Sequence, residues 1–366
     1  MNAFVVTCFE SNEERVGYIK KILEKQGYKT DIITSDFSHI RKEERNNVPE
    51  GYIAIDTKPY KKNLSIARLA SHDKFAKEAF EVLKKEKPDF IWLMAPANSL
   101  IKEANKYKNN NPDTKLVIDI IDMWPESLPV SVDKNMFPLN LWKNIRKDNI
   151  RCADILVGEC ALYNEILSKE YGKDIRVLRW AKEDKAMESV CEADDDILSL
   201  IYLGSINNII DIEGIKKMIR DIDYSVKLNI IGEGEKTDEF INSLKEVCEV
   251  EYHGVIRDEE RKAPILKKCH AGINFYKEGL YIGLTVKCID YFLHGLPILN
   301  NIKGDTWKMV EEDGVGFNIE KGTVIDAKKL IELRKDNKKF TDFYNEHFTY
   351  EIFEKECVSI IEELKK

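Results

Sequence analysis

The chain has 366 residues, of which 43% are hydrophobic and 33% are charged. At about 150 residues per domain this length predicts two domains, and the composition excludes an intrinsically disordered chain. Lys and Arg number 57 against 65 Asp and Glu, which gives a formal net charge of −8. Because affinity for a phosphate backbone requires a basic field, we expect no general nucleic-acid-binding surface.

Hydropathy and cysteine spacing predict a cytoplasmic protein. No apolar run approaches the roughly 18 residues that span a bilayer, and residues 1–8 lack the basic stretch that begins a signal peptide. The eight cysteines include no Cys-x-x-Cys pair. This scatter argues against a zinc site or a disulfide framework and favours buried free thiols in a reducing compartment.

Short β-branched runs alternate with amphipathic stretches in the first half of the chain, a pattern typical of parallel α/β folds. The predicted strands are Phe4–Cys8, Thr30–Thr34, Asp89–Leu93, Lys115–Ile121, Asp154–Val157 and Ile175–Leu178. The predicted helices are Glu13–Gln26, Ser65–Glu86, Leu100–Lys108 and Leu162–Glu170. We expect residues 1–179 to form one Rossmann-like domain.

A highly charged stretch without an apolar period follows, and residues 180–197 are predicted to link two domains. The next predicted strands are Leu198–Leu203, Lys227–Ile231, Val250–His253, Ala271–Phe275 and Pro297–Asn300. The predicted helices between them are Asp211–Asp221, Lys236–Val247, Glu259–Cys269 and Thr285–His294. Residues 198–344 should form the second domain, and helices within 345–366 are expected to pack back on the first.

Glycines follow the predicted strands of the second half. They are Gly204 before Ser205, Gly232, Gly254 before Val255, and Gly283 at the end of the loop after Phe275. Ligands bind at the carboxyl ends of parallel strands, and glycine lets a ligand approach the backbone. Four such positions therefore predict a ligand site along one sheet edge, although ordinary turn chemistry accounts for each glycine taken singly.

The predicted helix that begins near Leu284 and Thr285 offers a phosphate site, because a helix N-terminus presents free N–H groups and a positive dipole end. Lys287 lies in the first turn, where the dipole disfavours lysine, and this favours an anionic partner. An ordinary N-cap with a solvated lysine is the alternative. Asp290 lies one turn further, placed to bind a ribose diol or else to pair with Lys287.

These residues carry a resemblance to a known family. The second half is similar to the nucleotide-binding domain of retaining GT-B glycosyltransferases of family 4. The matching segments are residues 202–205, 228–234, 251–256 and 287–298. The resemblance implies an α/β GT-B fold, in which two Rossmann-like domains enclose a cleft. It also implies a nucleotide diphosphate-sugar donor, first of all a UDP-sugar, with no further cofactor and no metal.

The chain departs from the family pattern at two places. The family motif Glu-x7-Glu places its second acid at Asp290 and its first at Ile282, so the usual contact to the donor sugar is missing. The loop Gly204–Asp211 carries no Lys or Arg, although the family normally holds the diphosphate with a basic pair there. The expected replacements are, in order, Lys287, Arg179 and Lys277.

The first half resembles the acceptor domain of bacterial capsule and O-antigen transferases. The matching segments are Thr34–His39, Arg68–His72 and Ile118–Ser127. By this resemblance, Asp122 and Glu126 bind acceptor hydroxyls and Trp124 forms a wall of the site, with structural packing of Trp124 as the alternative. Asp119 lies on the opposite strand face from Asp122 and is expected to cap a neighbouring loop.

Two histidines and one basic stretch complete the expected acceptor region. His72 lies at the edge of a helical apolar stripe and is assigned to the acceptor, with a satisfied core histidine as the alternative. His39 follows a strand beside Lys42 and is expected to face the cleft. Residues 129–151 place aromatic beside basic side chains, which suits peripheral contact with a membrane if the acceptor is polyprenyl-linked. A helix that covers the sheet is the alternative for this stretch.

The resemblance implies a glycosyltransferase that moves a sugar to a glycan or lipid-linked acceptor with retention of configuration. The residues assigned to catalysis are Lys287, Asp290 and Asp122. Charge developing on the leaving diphosphate is stabilised at the helix end, and the departing phosphate takes the acceptor proton, so no protein nucleophile is required. The alternatives are a nucleotide-sugar epimerase of the same fold and a non-catalytic subunit that supports an active transferase.

Overall fold

The computed structural model describes residues 1–63, 65–127, 139–182, 186 and 190–365. Two compact units divide the chain. The N-terminal unit comprises Met1–Trp180 and Phe353–Lys366, and the C-terminal unit comprises Ala181–Ile352. Each unit is built on a parallel β-sheet, so the predicted α/β class is confirmed.

A seven-stranded sheet forms the centre of the N-terminal unit. Its strands are β1 (Asn2–Val6), β2 (Lys29–Ser35), β3 (Tyr52–Ile55), β4 (Phe90–Ala95), β5 (Lys115–Ile120), β6 (Ile155–Gly158) and β7 (Arg176–Val177). They lie in the order β3-β2-β1-β4-β5-β6-β7, all parallel. The helices are α1 (Glu13–Lys25), α2 (Ile66–Glu86), α3 (Asn98–Asn110), α4 (Leu139–Asn149) and α5 (Ala161–Tyr171).

A six-stranded sheet forms the centre of the C-terminal unit. Its strands are β8 (Leu198–Leu203), β9 (Val226–Ile231), β10 (Glu249–Tyr252), β11 (Ala271–Asn274), β12 (Ile298–Asn300) and β13 (Gly316–Asn318), in the order β10-β9-β8-β11-β12-β13. The helices are α6 (Ile212–Arg220), α7 (Thr237–Leu244), α8 (Glu259–Lys267), α9 (Val286–Leu293), α10 (Asp305–Asp313), α11 (Ala327–Arg334), α12 (Asn337–His347) and α13 (Tyr350–Lys365). From Phe353 onward, α13 belongs to the N-terminal unit.

Continuous apolar runs explain why the central strands are correctly predicted. All six residues of β4 and all six of β8 are buried, as expected for parallel strands that are covered on both faces. Every predicted strand is present with ends shifted by a few residues. Strands β3 and β13 were not predicted. Both are short edge strands of four and three residues, too short to show a period, and most of their residues are half-buried.

Several sequence predictions concern chain segments rather than the sheets. Residues 183–185 and 187–189 of the predicted linker lie outside the described residues. All eight cysteines are free, and five of them are buried. Among the described residues, no helix is both long and apolar enough to cross a membrane.

A buried ion pair joins α1 to β5. The Nε and Nη2 atoms of Arg15 donate to the two carboxylate oxygens of Asp119, each at 3.0 Å, and both side chains are 0% exposed. The guanidinium also donates to the carbonyls of Leu178 at 2.9 Å and Arg179 at 3.2 Å, and the Trp92 indole donates to Asp119 at 3.1 Å. The expectation that Asp119 caps a loop is therefore wrong, because its partners are two side chains of the core.

Removing one member of this pair leaves an uncompensated buried charge. We expect Arg15→Met to lower the free energy of unfolding by about 3–5 kcal/mol, as measured by urea denaturation. Lys21→Met on the exposed side of α1 is the matched control and should change it by less than about 0.5 kcal/mol. Equal effects of the two substitutions would contradict a structural role for the pair.

Candidate functional site

Three glycines line the carboxyl edge of β8, β9 and β10, which are neighbours in the sheet. Gly204, Gly232 and Gly254 have φ values of +105°, +140° and +68°, in the region that favours glycine. A Cβ on Gly232 would lie 2.0 Å from the Gly204 carbonyl oxygen, and the Gly232 N–H donates to Gly254 at 2.8 Å. At these three positions the edge of the sheet therefore presents backbone atoms with no side chain over them, as the sequence predicts.

The N-terminus of α9 lies beside this edge without a side-chain cap. Thr285 occupies the N-cap position, but its hydroxyl donates to Asn274 Oδ1 at 3.0 Å instead of accepting from the helix. Gly283 and Leu284 are buried, and the Gly283 carbonyl accepts the Thr306 N–H at 3.0 Å. These hydrogen bonds of Gly283 and Thr285 fix the start of α9. The first turn of the helix contains no acidic residue that could neutralise the positive end of its dipole.

Lys287 is the cation at this helix start, and it is buried. Only 8% of its surface is exposed, and its Nζ has no hydrogen-bond partner among the described residues. The ammonium lies 4.0 Å from the ring centre of Tyr202 and 4.9 Å from that of Tyr276, and its Cε packs against Gly204. Burial lowers the pKa of Lys287 to about 7. The alternative of a solvated lysine is therefore wrong.

Asp290 lies one turn further along α9, and its partners are not the predicted one. It accepts a hydrogen bond from Lys182, and Lys262 Nζ lies 3.9 Å away. The alternative of a Lys287–Asp290 ion pair is therefore wrong. Sequence reasoning missed Lys182, because one lysine in a charged, aperiodic stretch carries no signal that distinguishes it from its neighbours.

The other residues assigned to the donor are placed as follows. Ser205 and Val255 are exposed at the carboxyl ends of β8 and β10, and the Ser205 carbonyl accepts the Tyr202 hydroxyl at 2.8 Å. Arg179 belongs to the N-terminal unit, where its carbonyl accepts from Arg15. Their contacts with a donor remain predictions.

A cavity of about 530 Å³ lies elsewhere in the C-terminal unit. It is enclosed by α6, the loop after β11, and the segments that follow β12 and β13. Its wall includes Lys277, Glu278 and Ile282, which occupies the place of the missing family acid. Neither Gly204 nor Lys287 lines this cavity, but Tyr276, whose ring centre lies 4.9 Å from the Lys287 ammonium, does.

Two carboxyl groups follow neighbouring strands of the N-terminal unit. Asp122, just beyond β5, accepts a hydrogen bond from the Ser127 hydroxyl, and Glu159, just beyond β6, accepts the indole N–H of Trp180. Desolvation raises the pKa of Asp122 to about 6 and that of Glu159 to about 8. Glu159 was missed, although its place directly after a predicted strand was a usable signal.

Glu126 and Trp124 have structural partners. The Glu126 carboxylate accepts from Arg146 at 2.6 Å and 3.1 Å, and this pair is buried. Trp124 lies with its ring centre 3.5 Å from the Arg68 guanidinium and 5.5 Å from the Trp142 ring. Trp124 is half-buried and packs on these two side chains, and its role as a wall of the site stays a prediction. An acceptor contact by Glu126 would require its ion pair to open.

His72 lies in the interior of the N-terminal unit, and its acceptor role stays a prediction. It is 3% exposed and accepts from Arg68 Nε at 3.4 Å. Of the stretch 129–151, residues 129–138 lie outside the described residues. In α4, Trp142 is buried while Leu141 is 51% exposed, so the described part of this stretch is a helix packed on the unit.

The candidate centre contains no evident metal site. No group of three or more His, Cys, Asp or Glu that could hold a metal ion occurs within the described ranges.

No protein-family model matches the chain, and no curated protein matches it in sequence.

Solved structures do match the chain along its whole length. HepE of Anabaena in complex with UDP is 11% identical, with 99% of each chain covered and a TM-score of 0.69. The apo form of the lipopolysaccharide outer core galactosyltransferase WaaB is 14% identical, with 97% of this chain and 94% of that chain covered and a TM-score of 0.63. AviGT4, a glycosyltransferase of avilamycin A biosynthesis, is 11% identical, with 100% and 97% covered and a TM-score of 0.57.

These similarities concern the fold. The two parallel sheets, of seven and six strands, are those of GT-B glycosyltransferases with two Rossmann-like domains. The predicted GT-B fold is therefore confirmed. The strand order reverses between β1 and β4 in the first sheet and between β8 and β11 in the second. Parallel α/β folds bind ligands at such points, at the carboxyl ends of the strands.

The close approach at Gly232 gives a testable consequence. We expect Gly232→Ala to destabilise the protein by more than about 2 kcal/mol, since a Cβ meets the Gly204 carbonyl and the φ value is unfavourable. Gly254→Ala is the matched control, because a Cβ there meets nothing within 4 Å and only the left-handed φ costs energy, about 1–2 kcal/mol. Urea denaturation of both variants measures the difference, and a smaller loss for Gly232→Ala would contradict the geometry.

Proposed function

We propose that the protein is a glycosyltransferase whose C-terminal unit binds a nucleotide diphosphate-sugar, with UDP as the nucleotide. The observation that carries this proposal is the buried Lys287 ammonium without a hydrogen-bond partner, beside the glycine edge and the uncapped start of α9. A desolvated cation is costly unless an anion joins it. A diphosphate supplies that anion, and it is also the ligand that a helix N-terminus and bare backbone N–H groups favour.

The same arrangement explains how the reaction is assisted. When the bond between the anomeric carbon and the diphosphate oxygen breaks, negative charge develops on the leaving group. Lys287 and the dipole end of α9 stabilise that charge in a site with little water. The new bond forms to an acceptor hydroxyl, whose proton passes to the departing phosphate. We infer retention of configuration from the family resemblance, and no protein nucleophile enters the scheme.

The assignments of the remaining residues follow from their positions. Asp290, in reach of Lys182, binds the ribose hydroxyls, and the pair orders the nucleotide side of α9. Asp122 contacts the acceptor hydroxyl in the N-terminal unit, where its raised pKa of about 6 leaves it mostly ionised at neutral pH. The acceptor is a glycan or a polyprenyl-linked glycan of a cell-surface polysaccharide. UDP and UDP-glucose in solved structures of HepE support the choice of donor.

A product assay tests the function against its alternatives. The protein is incubated with UDP-, GDP- and dTDP-sugars, with and without a glycan acceptor, and both glycoside and free sugar are analysed. Acceptor-dependent glycoside formation that EDTA leaves unchanged is expected. Release of an altered free sugar without acceptor identifies an epimerase instead. Absence of turnover together with stable co-purification of an active transferase identifies a supporting subunit.

Substitution of Lys287 separates donor binding from stability. We expect Lys287→Met to weaken UDP binding by about 1.5–3 kcal/mol, because a charge-assisted contact is lost. The folded protein is expected to be at least as stable as before, since a buried ammonium is replaced by an apolar chain of similar length. Calorimetric titration with UDP and urea denaturation measure the two effects. Lys245→Met, an exposed lysine that directly follows α7, is the control and should leave both unchanged.

The pKa of Lys287 also sets the direction of a pH effect. Between about pH 7 and the ordinary lysine value of 10.5, the unfolded chain holds a proton that the folded chain lacks. Stability of the unmodified protein should therefore rise through this window relative to Lys287→Met. UDP affinity should fall over the same window, because the bound diphosphate requires the protonated ammonium. Parallel pH profiles of the two proteins would contradict this assignment.

Asp290→Asn tests the ribose contact. The substitution keeps size but removes charge and one acceptor, so UDP binding should weaken by about 1–3 kcal/mol. For dUDP the loss should be smaller, because the 2′-hydroxyl is absent, and the comparison forms a double-mutant cycle. Lys182→Met is the control, since it removes the same ion pair while leaving the carboxylate. If Lys182→Met and Asp290→Asn lose equally for both ligands, the pair rather than the ribose explains Asp290.

A further inference from the structure

A second unmatched cation lies in the N-terminal unit, in the first turn of α2. The Arg68 side chain is 1% exposed, and no carboxylate among the described residues lies within ion-pair distance of it. Its hydrogen-bond acceptors are His72 Nε2 and His39 Nε2, both at 3.4 Å, and the carbonyl of Asn63 at 3.2 Å. Two of these three contacts are long and end on neutral rings, in contrast to the two-point carboxylate contact of Arg15.

Lys42 adds a second cation to this group. Its Nζ donates to the carbonyl of His39 and to the side-chain oxygen of Asn63, and lies 4.9 Å from the Tyr60 ring centre. Desolvation, and then the charge of Arg68, lower the pKa of Lys42 to about 8. None of its hydrogen-bond acceptors within the described part of the chain is a carboxylate.

The rings of this group carry no charge at neutral pH. Burial, followed by the charges of Arg68 and Lys42, lowers the pKa of His39 to about 3 and holds that of His72 well below its usual value. We call Arg68, Lys42, His39 and His72 the Arg68 cluster. Its members hold two positive charges and two neutral imidazoles.

Two acids lie near the cluster, and each is engaged elsewhere. Glu10 accepts from the Ser38 hydroxyl at 2.7 Å and from the backbone N–H groups of His39 at 3.0 Å and Ile40 at 2.9 Å. Burial lowers the pKa of Arg68 and the charge of Asp122 raises it, but the Asp122 carboxylate accepts its hydrogen bond from the Ser127 hydroxyl. Among the described residues, no carboxylate therefore pairs with the Arg68 guanidinium or the Lys42 ammonium, and Glu10 contacts the cluster only through the His39 backbone N–H.

The guanidinium retains donor capacity, and a route leads to it. A guanidinium has five N–H donors; three of those of Arg68 donate to His72, Asn63 and His39, and the Tyr60 hydroxyl interacts with the same group. His39 and Lys42 are half-buried, and Asn63 is exposed, so the cluster reaches solvent on that side. An oxyanion that arrives there meets Lys42 first and can replace the long imidazole contact of Arg68 with a charge-assisted one.

We propose that the Arg68 cluster binds an oxyanion of the acceptor, either a phosphate ester or a sugar carboxylate. That the anion belongs to an acceptor rests on the function proposed above, whereas oxyanion binding by itself does not. The guanidinium fork suits both chemistries, because each presents two oxygens in one plane. A polyprenyl diphosphate supplies the first and an acidic glycan the second.

The experiment follows the histidine rings directly. Protein with isotope-labelled histidine contains six ring signals, of which those of His39 and His72 are assigned with the variants His39→Asn and His72→Asn. Inorganic pyrophosphate and methyl glucuronide are titrated separately in the presence of saturating UDP, which occupies the donor site. We expect one probe to shift both signals in a saturable manner. A response to pyrophosphate alone identifies the lipid diphosphate, and one to the glucuronide alone identifies an acidic glycan.

Lys42→Gln and a charge-matched control decide the assignment. Lys42→Gln should raise the dissociation constant of the responding probe by at least about tenfold, the scale of one charge-assisted contact. Lys85→Gln, an exposed residue near the end of α2, should leave it unchanged. Arg68→Lys extends the series if it folds, and the proposal does not depend on it. Absence of any shift, or equal affinities of the two lysine variants, overturns the proposal.

The failure of each proposal is recognisable on the same samples. UDP is titrated against the unmodified protein and against Lys287→Met. If UDP fails to bind but the His39 signal still responds to a probe, the donor site is wrong and the oxyanion site stands. If UDP binds in a manner that depends on Lys287 and neither probe shifts His39, the oxyanion site is wrong and the glycosyltransferase proposal stands.

Discussion

The pair of Arg15 and Asp119 is the contact on which the N-terminal unit depends. One guanidinium satisfies both carboxylate oxygens and holds the carbonyls of residues 178 and 179. It also lies 5.2 Å from the Trp180 ring and 5.3 Å from the Phe353 ring. Those two residues are the last before the chain leaves the unit and the first after it returns. A single buried guanidinium therefore contacts both passages of the chain at the boundary of the unit.

Four buried cations among the described residues are of two kinds. Arg15 and Arg146 are matched by carboxylates in two-point contacts, which satisfy the charge within the fold. Lys287 and Arg68 are also buried, yet their neighbours are aromatic faces, imidazoles and backbone. The unfavourable desolvation of the second kind is what the two proposed anion sites would relieve. Lys287 lies in the C-terminal unit and Arg68 in the N-terminal unit.

The backbone at the glycine edge also determines the surroundings of Lys287. The glycine edge of the C-terminal unit leaves no room for side chains between Gly204 and Gly232, and Lys287 lies against it. Tyr202 and Tyr276 hold the lysine stem in place through their ring faces, since cation–π contact orders an ammonium without neutralising it. The position of the lysine side chain is therefore fixed by contacts within the C-terminal unit.

The sequence alone determined the α/β class, the strands of both sheets except two short edge strands, and the glycine edge with Lys287 at a helix start. These follow from local periodicity and from residues whose backbone preferences are strong. The tertiary structure alone decided which charges are matched. Lys182 and its partner Asp290 are 108 positions apart in the sequence, and Arg15 and Asp119 are 104 apart. Glu126 forms an ion pair with Arg146, and Arg68 donates hydrogen bonds to two imidazoles. Partner choice among charges depends on distances across the folded chain and on burial, and neither leaves a periodic trace in the sequence.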